Sequence, residues 1–161
     1  MKANNIVLHI KRADGTEEYI EGKNIVTYEG DIYYAQKIAG QATDFSSPYL
    51  RLGYNSTQVP SKNDTDVIDL VPNSTKAIDA STYPERNNQD AGNPLGGEAV
   101  LTWKIVYDLG DLDAVDIAEA AIVNDSSAPT KAICRFLFER KFAVTPTDAL
   151  TVYVNHALVG V

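Results

Sequence analysis

Apolar and polar residues alternate with a period of two through most of the first and last thirds of this chain. Asn5-Ile6-Val7-Leu8-His9-Ile10-Lys11 predicts a strand, and Ala13-Asp14-Gly15-Thr16 carries the Asp-Gly signal of a tight hairpin. Glu17 to Ile20 is the expected return strand, and Gly22 breaks the pattern before Asn24 to Tyr28. Pro48 to Tyr54 reads as a short strand. Farther on, Ala99, Leu101, Trp103, Ile105 and Tyr107 share one strand face, with Val100, Thr102, Lys104 and Val106 on the other. Val115–Val123, whose alanines would also tolerate a helix, Ala132–Glu139 and Leu150–His156 follow as further strand candidates, the last two aligning Cys134, Phe136 and Phe138, then Leu150, Val152 and Val154. The connections are too short for helical crossovers, which favours antiparallel pairing.

One stretch has a helical period instead. In Gly30 to Gly40, the spacing of Ile32, Ala35, Ile38 and Ala39 predicts a buried face. Asp31 suits the first turn and Gly40 the position past the last. Tyr33 and Tyr34 fall on adjacent sides, so at least one is expected to leave the apolar face and serve an interface, where tyrosine is enriched. Residues 55–97 are dense in Asn, Ser, Thr, Asp, Pro and Gly and predict a long irregular loop. Such loops are usually functional or partly disordered, and in an assembled particle a neighbouring subunit is a surface for one to lie on. The pattern as a whole predicts one mainly β domain over residues 1–161. It is an antiparallel β-sandwich or barrel-like fold with one short α-helix, an N-terminal hairpin arm (1–22) and the long polar loop (55–97).

Charge and composition narrow the function. Lys and Arg total 14 against 22 Asp and Glu, a net charge of −8. No basic stripe is present, so neither nucleic acid nor an anionic membrane is an expected partner. No apolar run approaches the roughly 20 residues of a membrane helix, and Met1 to Asn5 lacks a secretory apolar region. Cys134 lies in a strand-like run and reads as a small buried hydrophobe. His9 and His156 also lie in strand-like runs and read as structural. Phosphate-loop, nucleophile-elbow and zinc spacings are lacking. No catalytic, cofactor-binding or metal-binding residue is therefore assigned, and a non-enzymatic role is expected. The carboxylates Asp108, Asp111, Asp113 and Asp116 read as a solvated acidic turn, with a weak calcium site as the other reading. The Asn-x-Ser/Thr sequences at Asn55, Asn63, Asn73 and Asn124 read as loop chemistry. Trp103, on the apolar face of its strand, reads as core rather than as part of a sugar platform.

The order of segments resembles a broad group of small structural proteins of tailed-bacteriophage virions. Asn24-Ile25-Val26 before the glycine-led helix, Leu50-Arg51-Leu52-Gly53, and Pro60-Ser61-Lys62-Asn63-Asp64-Thr65 are similar to successive motifs of that group. So are Leu101-Thr102-Trp103, the Arg135-Phe136-Leu137-Phe138 strand with Lys141, and Leu150-Thr151-Val152-Tyr153-Val154. Ile117-Ala118-Glu119-Ala120-Ala121-Ile122 keeps the glutamate of an Ile-Ser-Glu-x-Gly-Leu motif but replaces its serine and glycine with alanine. The resemblance implies a virion protein made in the host cytoplasm and carried on the capsid surface. Such a protein decorates and cements the shell by binding between major capsid protein subunits, as a homotrimer or other cyclic homo-oligomer. A tail, collar or fibre-attachment adaptor is the alternative. A calcium-dependent carbohydrate-binding module or hydrolase is a third, more distant reading.

Overall fold

A computed structural model describes residues 5–157. Its elements are β1 (Asn5–Lys11), β2 (Glu17–Val26), α1 (Tyr28–Ile38), β3 (Tyr49–Gly53), β4 (Lys76–Ala77), β5 (Glu85–Arg86), β6 (Val100–Tyr107), β7 (Ala114–Val123), β8 (Ala132–Val144) and β9 (Ala149–Ala157). All nine strands join one sheet in the order β4-β3-β7-β8-β2-β1-β9-β6-β5. Every pairing is antiparallel, and the sheet curls into a half-barrel. The barrel-like expectation therefore holds, and a sandwich, which needs two sheets, does not.

Three sequence expectations are corrected. The N-terminal hairpin is no arm: β1 is flanked by β2 and β9, and β2 continues onto β8, so residues 5–26 lie in the middle of the sheet. Residues 1–4 fall outside the described residues. Gly22 does not end the strand; β2 passes through it opposite Phe138. The long loop does not stand away from the body. It contributes β4 and β5, which close the two ends of the sheet, and it buries Val67, Val71 and Ile78 against the strands.

The concave face holds the core. Ile6, Leu8 and Ile10 of β1 meet Trp103 and Ile105 of β6, Phe136 of β8, and Leu150, Val152 and Val154 of β9. Trp103 is fully buried, as its strand face requires. The convex face of β7 and β8 is covered as well: Ala121, Val123 and Ala132 form a second cluster with Val67 of the loop and Tyr49. Covering on both faces explains why β7 is buried almost continuously instead of alternating.

Replacing Trp103 with Ala empties the centre of the concave core. Large aromatic truncations in cores cost about 3–5 kcal/mol. A denaturant titration of Trp103→Ala is expected to show a loss in that range with the native fold retained.

Candidate interaction surface

Helix α1 begins at Thr27. The Thr27 hydroxyl accepts from the Gly30 amide at 2.9 Å, a side-chain N-cap. The same residue is tied to β8: its backbone N–H donates to the Ile133 carbonyl at 3.0 Å, and its hydroxyl donates to the Ala132 carbonyl. Gly30 sits against the Ile133 carbonyl, where any Cβ would overlap it. Cap and glycine together fix the rotation of the helix.

That rotation turns Tyr33 inward, not the isoleucines. Tyr33 is buried against Phe45, Tyr34 and Trp103, with ring centroids 5.5, 5.0 and 5.7 Å away. Tyr34 also points inward: its hydroxyl accepts from Trp103 Nε1 at 3.0 Å and contacts His156 Nδ1. The hydroxyl thus joins Trp103 and His156 in one buried polar contact. Both tyrosines thus serve the interior, contrary to the expectation that one would be released. The predicted buried face is the exposed one. Ile32 is 50% and Ile38 81% exposed, and Tyr28, 58% exposed, extends the same stripe through Ala35. Charged pairs rim it, with Lys62 donating to Asp31 at 2.6 Å and its ammonium 5.6 Å from the centroid of the Tyr28 ring. An outward apolar stripe with a polar rim is the anatomy of an association surface.

A buried polar node holds the loop beneath this end of the molecule. Glu119 and Arg135 are both fully buried and paired at 2.8 Å. Glu119 Oε1 accepts from the backbone N–H groups of Asn55, Ile68 and Asp69 at 3.2, 3.0 and 3.1 Å. Arg135 also donates to Asp64 at 3.1 Å and to the Gln58 carbonyl at 3.0 Å. Gly53 lies directly across from Glu119 in the sheet, where a Cβ would overlap the glutamate side chain. Gly53, Asp64, Glu119 and Arg135 come from four separate sequence motifs and meet at one point. Their joint role was not legible from the sequence; the signal that could have found it was a glutamate and an arginine inside otherwise apolar strands.

Two further anchors fasten the rest of the loop. Ser74 Oγ accepts from the Leu52 amide at 3.1 Å, and Tyr107 donates to the Ser74 carbonyl at 2.6 Å. Asn93 and Asn155 exchange hydrogen bonds at 3.0 and 2.9 Å.

The other sequence candidates fall as follows. Cys134 is fully buried, and burial pushes its thiol up to about 12. His9 and His156 are buried in β1 and β9, and burial pulls His156 down to about 3. Asp108, Asp111, Asp113 and Asp116 do not gather: Asp111 pairs with Lys76 at 2.6 Å and caps the Asp108 amide, and no metal-like cluster of three ligating side chains occurs among the described residues. Asn55 and Asn124 use their side chains to accept from nearby backbone amides, at 2.9 Å from Gln58 and 2.8 Å from Lys131. No protein-family model matches the chain, and no curated protein or solved structure is significantly similar to it.

Two outcomes follow from these contacts. Glu119→Ala takes from Arg135 its fully buried carboxylate, leaving it Asp64 and the Gln58 carbonyl, and deprives three loop amides of their acceptor. It is expected to destabilise the fold by about 3–5 kcal/mol, and limited proteolysis should then cut within residues 55–69, where the parent resists. His156 supplies a pH dependence. An unfolded histidine takes its proton near about 6.5, whereas the folded one stays neutral down to about 3. Between these values the unfolded state binds more protons, so stability falls as pH falls, by up to about 1.4 kcal/mol per pH unit. Carboxylates held low by partners, such as Glu18 beside Arg12, begin to lose their contribution as pH falls through the unfolded carboxylate value and lose the rest below it, in the parent and the variant alike. Urea midpoints of His156→Gln measured from about pH 6.5 to 4.5 are therefore expected to slope less than those of the parent.

Proposed function

We propose that the protein is a non-enzymatic virion structural protein that decorates and stabilises the capsid of a tailed bacteriophage, binding between major capsid protein subunits from the capsid surface. The observation that carries the reading is the outward apolar stripe of α1, held in place by Thr27, Gly30 and Tyr33. A stripe of this size supports only modest affinity at one site. A repetitive lattice turns modest single contacts into firm attachment, because each bound copy raises the effective concentration of the next contact. Gly53, Asp64, Glu119 and Arg135, which the resemblance drew from four motifs, meet at one point of this fold, and the reading takes them as one structural unit.

Self-association into a homotrimer or other cyclic homo-oligomer fits a body with short sheet edges. β4 and β5 have two residues each, so strand addition has little to pair with and assembly is left to faces. The adaptor reading, in tail, collar or fibre attachment, uses the same stripe at far fewer sites.

The test is attachment to particles that lack the protein. The parent is expected to co-sediment at a copy number matching the capsid lattice. Ile32→Glu with Ile38→Glu changes only exposed positions, where substitutions usually stay within about 0.5 kcal/mol, and is expected to fold normally but remain in the supernatant. Binding by the double variant at the parental level would overturn the assignment of the stripe. A copy number matching a single vertex or the tail would favour the adaptor.

A further inference from the structure

The turn that follows β6, Asp108 to Asp111, is pinned from several sides. The Asp111 amide donates to the Asp108 carbonyl at 3.0 Å, and Asp111 Oδ2 accepts from the Asp108 amide at 2.8 Å and from Lys76 at 2.6 Å. The Gly110 amide, on a residue with φ 87°, donates to the Pro146 carbonyl at 2.8 Å. These bonds fasten the turn to β4 and to the turn between β8 and β9, yet Leu109 is left 66% exposed. A large apolar side chain on a pinned turn is a knob. It gains by leaving water and has little freedom to lose when covered.

At the other end of β6, an apolar hollow of about 210 Å³ lies between α1 and the sheet. Tyr33, Tyr34, Lys37, Ile38, Pro84 and Leu101 line it, and Ile38 is 81% exposed. Knob and socket are thus at opposite ends of one strand of 8 residues, which spans about 26 Å at roughly 3.3 Å per residue. Across a close-packed sheet the knob cannot reach its own socket. It can reach that of another copy.

Charge agrees with this pairing. The Lys37 ammonium stands 6.0 Å from the centroid of the Tyr33 ring and makes no ion pair among the described residues. Asp108, next to the knob, is exposed, and its carboxylate makes no ion pair among them either. A chain with a net charge of −8 repels its own copies at a distance, so self-association needs a local match of opposite charges. In the groove around His9 on the convex face, by contrast, polar side chains face one another. His9 stacks on Tyr19 and stands 3.4 Å from Glu17, and Lys104 donates to Asp90 at 2.8 Å.

We propose that copies of this chain associate head to tail, with Leu109 of one copy entering the socket beside Ile38 of the next and Asp108 meeting Lys37. The proposal rests on the homo-oligomer of the virion reading and supplies its contact. Such a contact is heterologous, and it closes into a ring, a trimer included, where the rotation per step allows.

The test is sedimentation velocity of the full chain in about 0.15 M salt, at concentrations up to about 1 mM. The parent is expected to sediment faster as concentration rises. Leu109→Ser and Lys37→Glu, both at exposed positions where substitution rarely disturbs folding, should each weaken association by about tenfold or more. Mixing the two variants decides the pairing. One retains an intact socket and the other an intact knob, so the mixture is expected to form pairs that grow no further. The proposal is overturned if the parent stays monomeric throughout, if both variants associate as the parent does, or if the mixture associates no better than each variant alone. Particle attachment is a separate readout: a parent that co-sediments with particles but never self-associates retains the virion reading and sinks only this contact.

Discussion

The fold turns on the buried ion pair of Glu119 with Arg135, placed under the loop and not in the hydrophobic core. A buried pair of this kind is weak evidence for stability in itself, because desolvation offsets much of the attraction. Its value lies in the groups it gathers. The loop must cross the convex face with its amides turned away from water, and unpaired amides there would each be expensive. Glu119 accepts three of them through one oxygen while Arg135 neutralises the other, and Arg135 in turn takes up Asp64 and the Gln58 carbonyl. With the loop pinned, Val67 can seal Ala121, Val123 and Ala132 from solvent. An irregular segment thereby becomes a second layer over the sheet.

The helix illustrates a competition that periodicity does not decide. Four aliphatic or small residues at helical spacing promised a buried face, and Ile32 and Ile38 ended outside. Two features outweighed them. A pair of tyrosines offers more apolar area than a pair of isoleucines, and each hydroxyl needs a partner when buried; Tyr34 finds two, in Trp103 and His156. The Thr27 cap and the bare backbone at Gly30 then lock the helix where only the tyrosine side can meet the sheet.

The strands were legible because period-two alternation and turn residues are local signals, and β1, β3, β6 and β9 sit within a residue or two of where alternation puts them. Cys134 and Trp103 were legible for the same reason, as members of an apolar strand face. What stayed hidden depends on contacts distant in sequence. The central place of the first hairpin required β9 to close against β1 and β8 against β2, pairings that no local pattern encodes. The loop's attachment required Glu119 and Arg135 to point toward residues more than a strand away. The row of Tyr19, His9 and Thr151 exists only through register, so its members look unrelated along the chain.

These placements divide the molecule in a way that matters for what its surfaces can do. α1 closes the concave side of the sheet, and the groove around His9 opens on the convex side. Between them lies the β2–β1–β9–β6 ladder, packed through Leu8, Ile20, Val152 and Ile105. A close-packed layer of this sort transmits a change of shape poorly unless it has a second stable arrangement, and sites without shared partners act additively. Substitutions at the apolar stripe and at the polar groove are therefore expected to act additively. The body thus leaves its inward faces to stability and presents two dissimilar outer surfaces, an apolar stripe on α1 and a polar groove on the convex side.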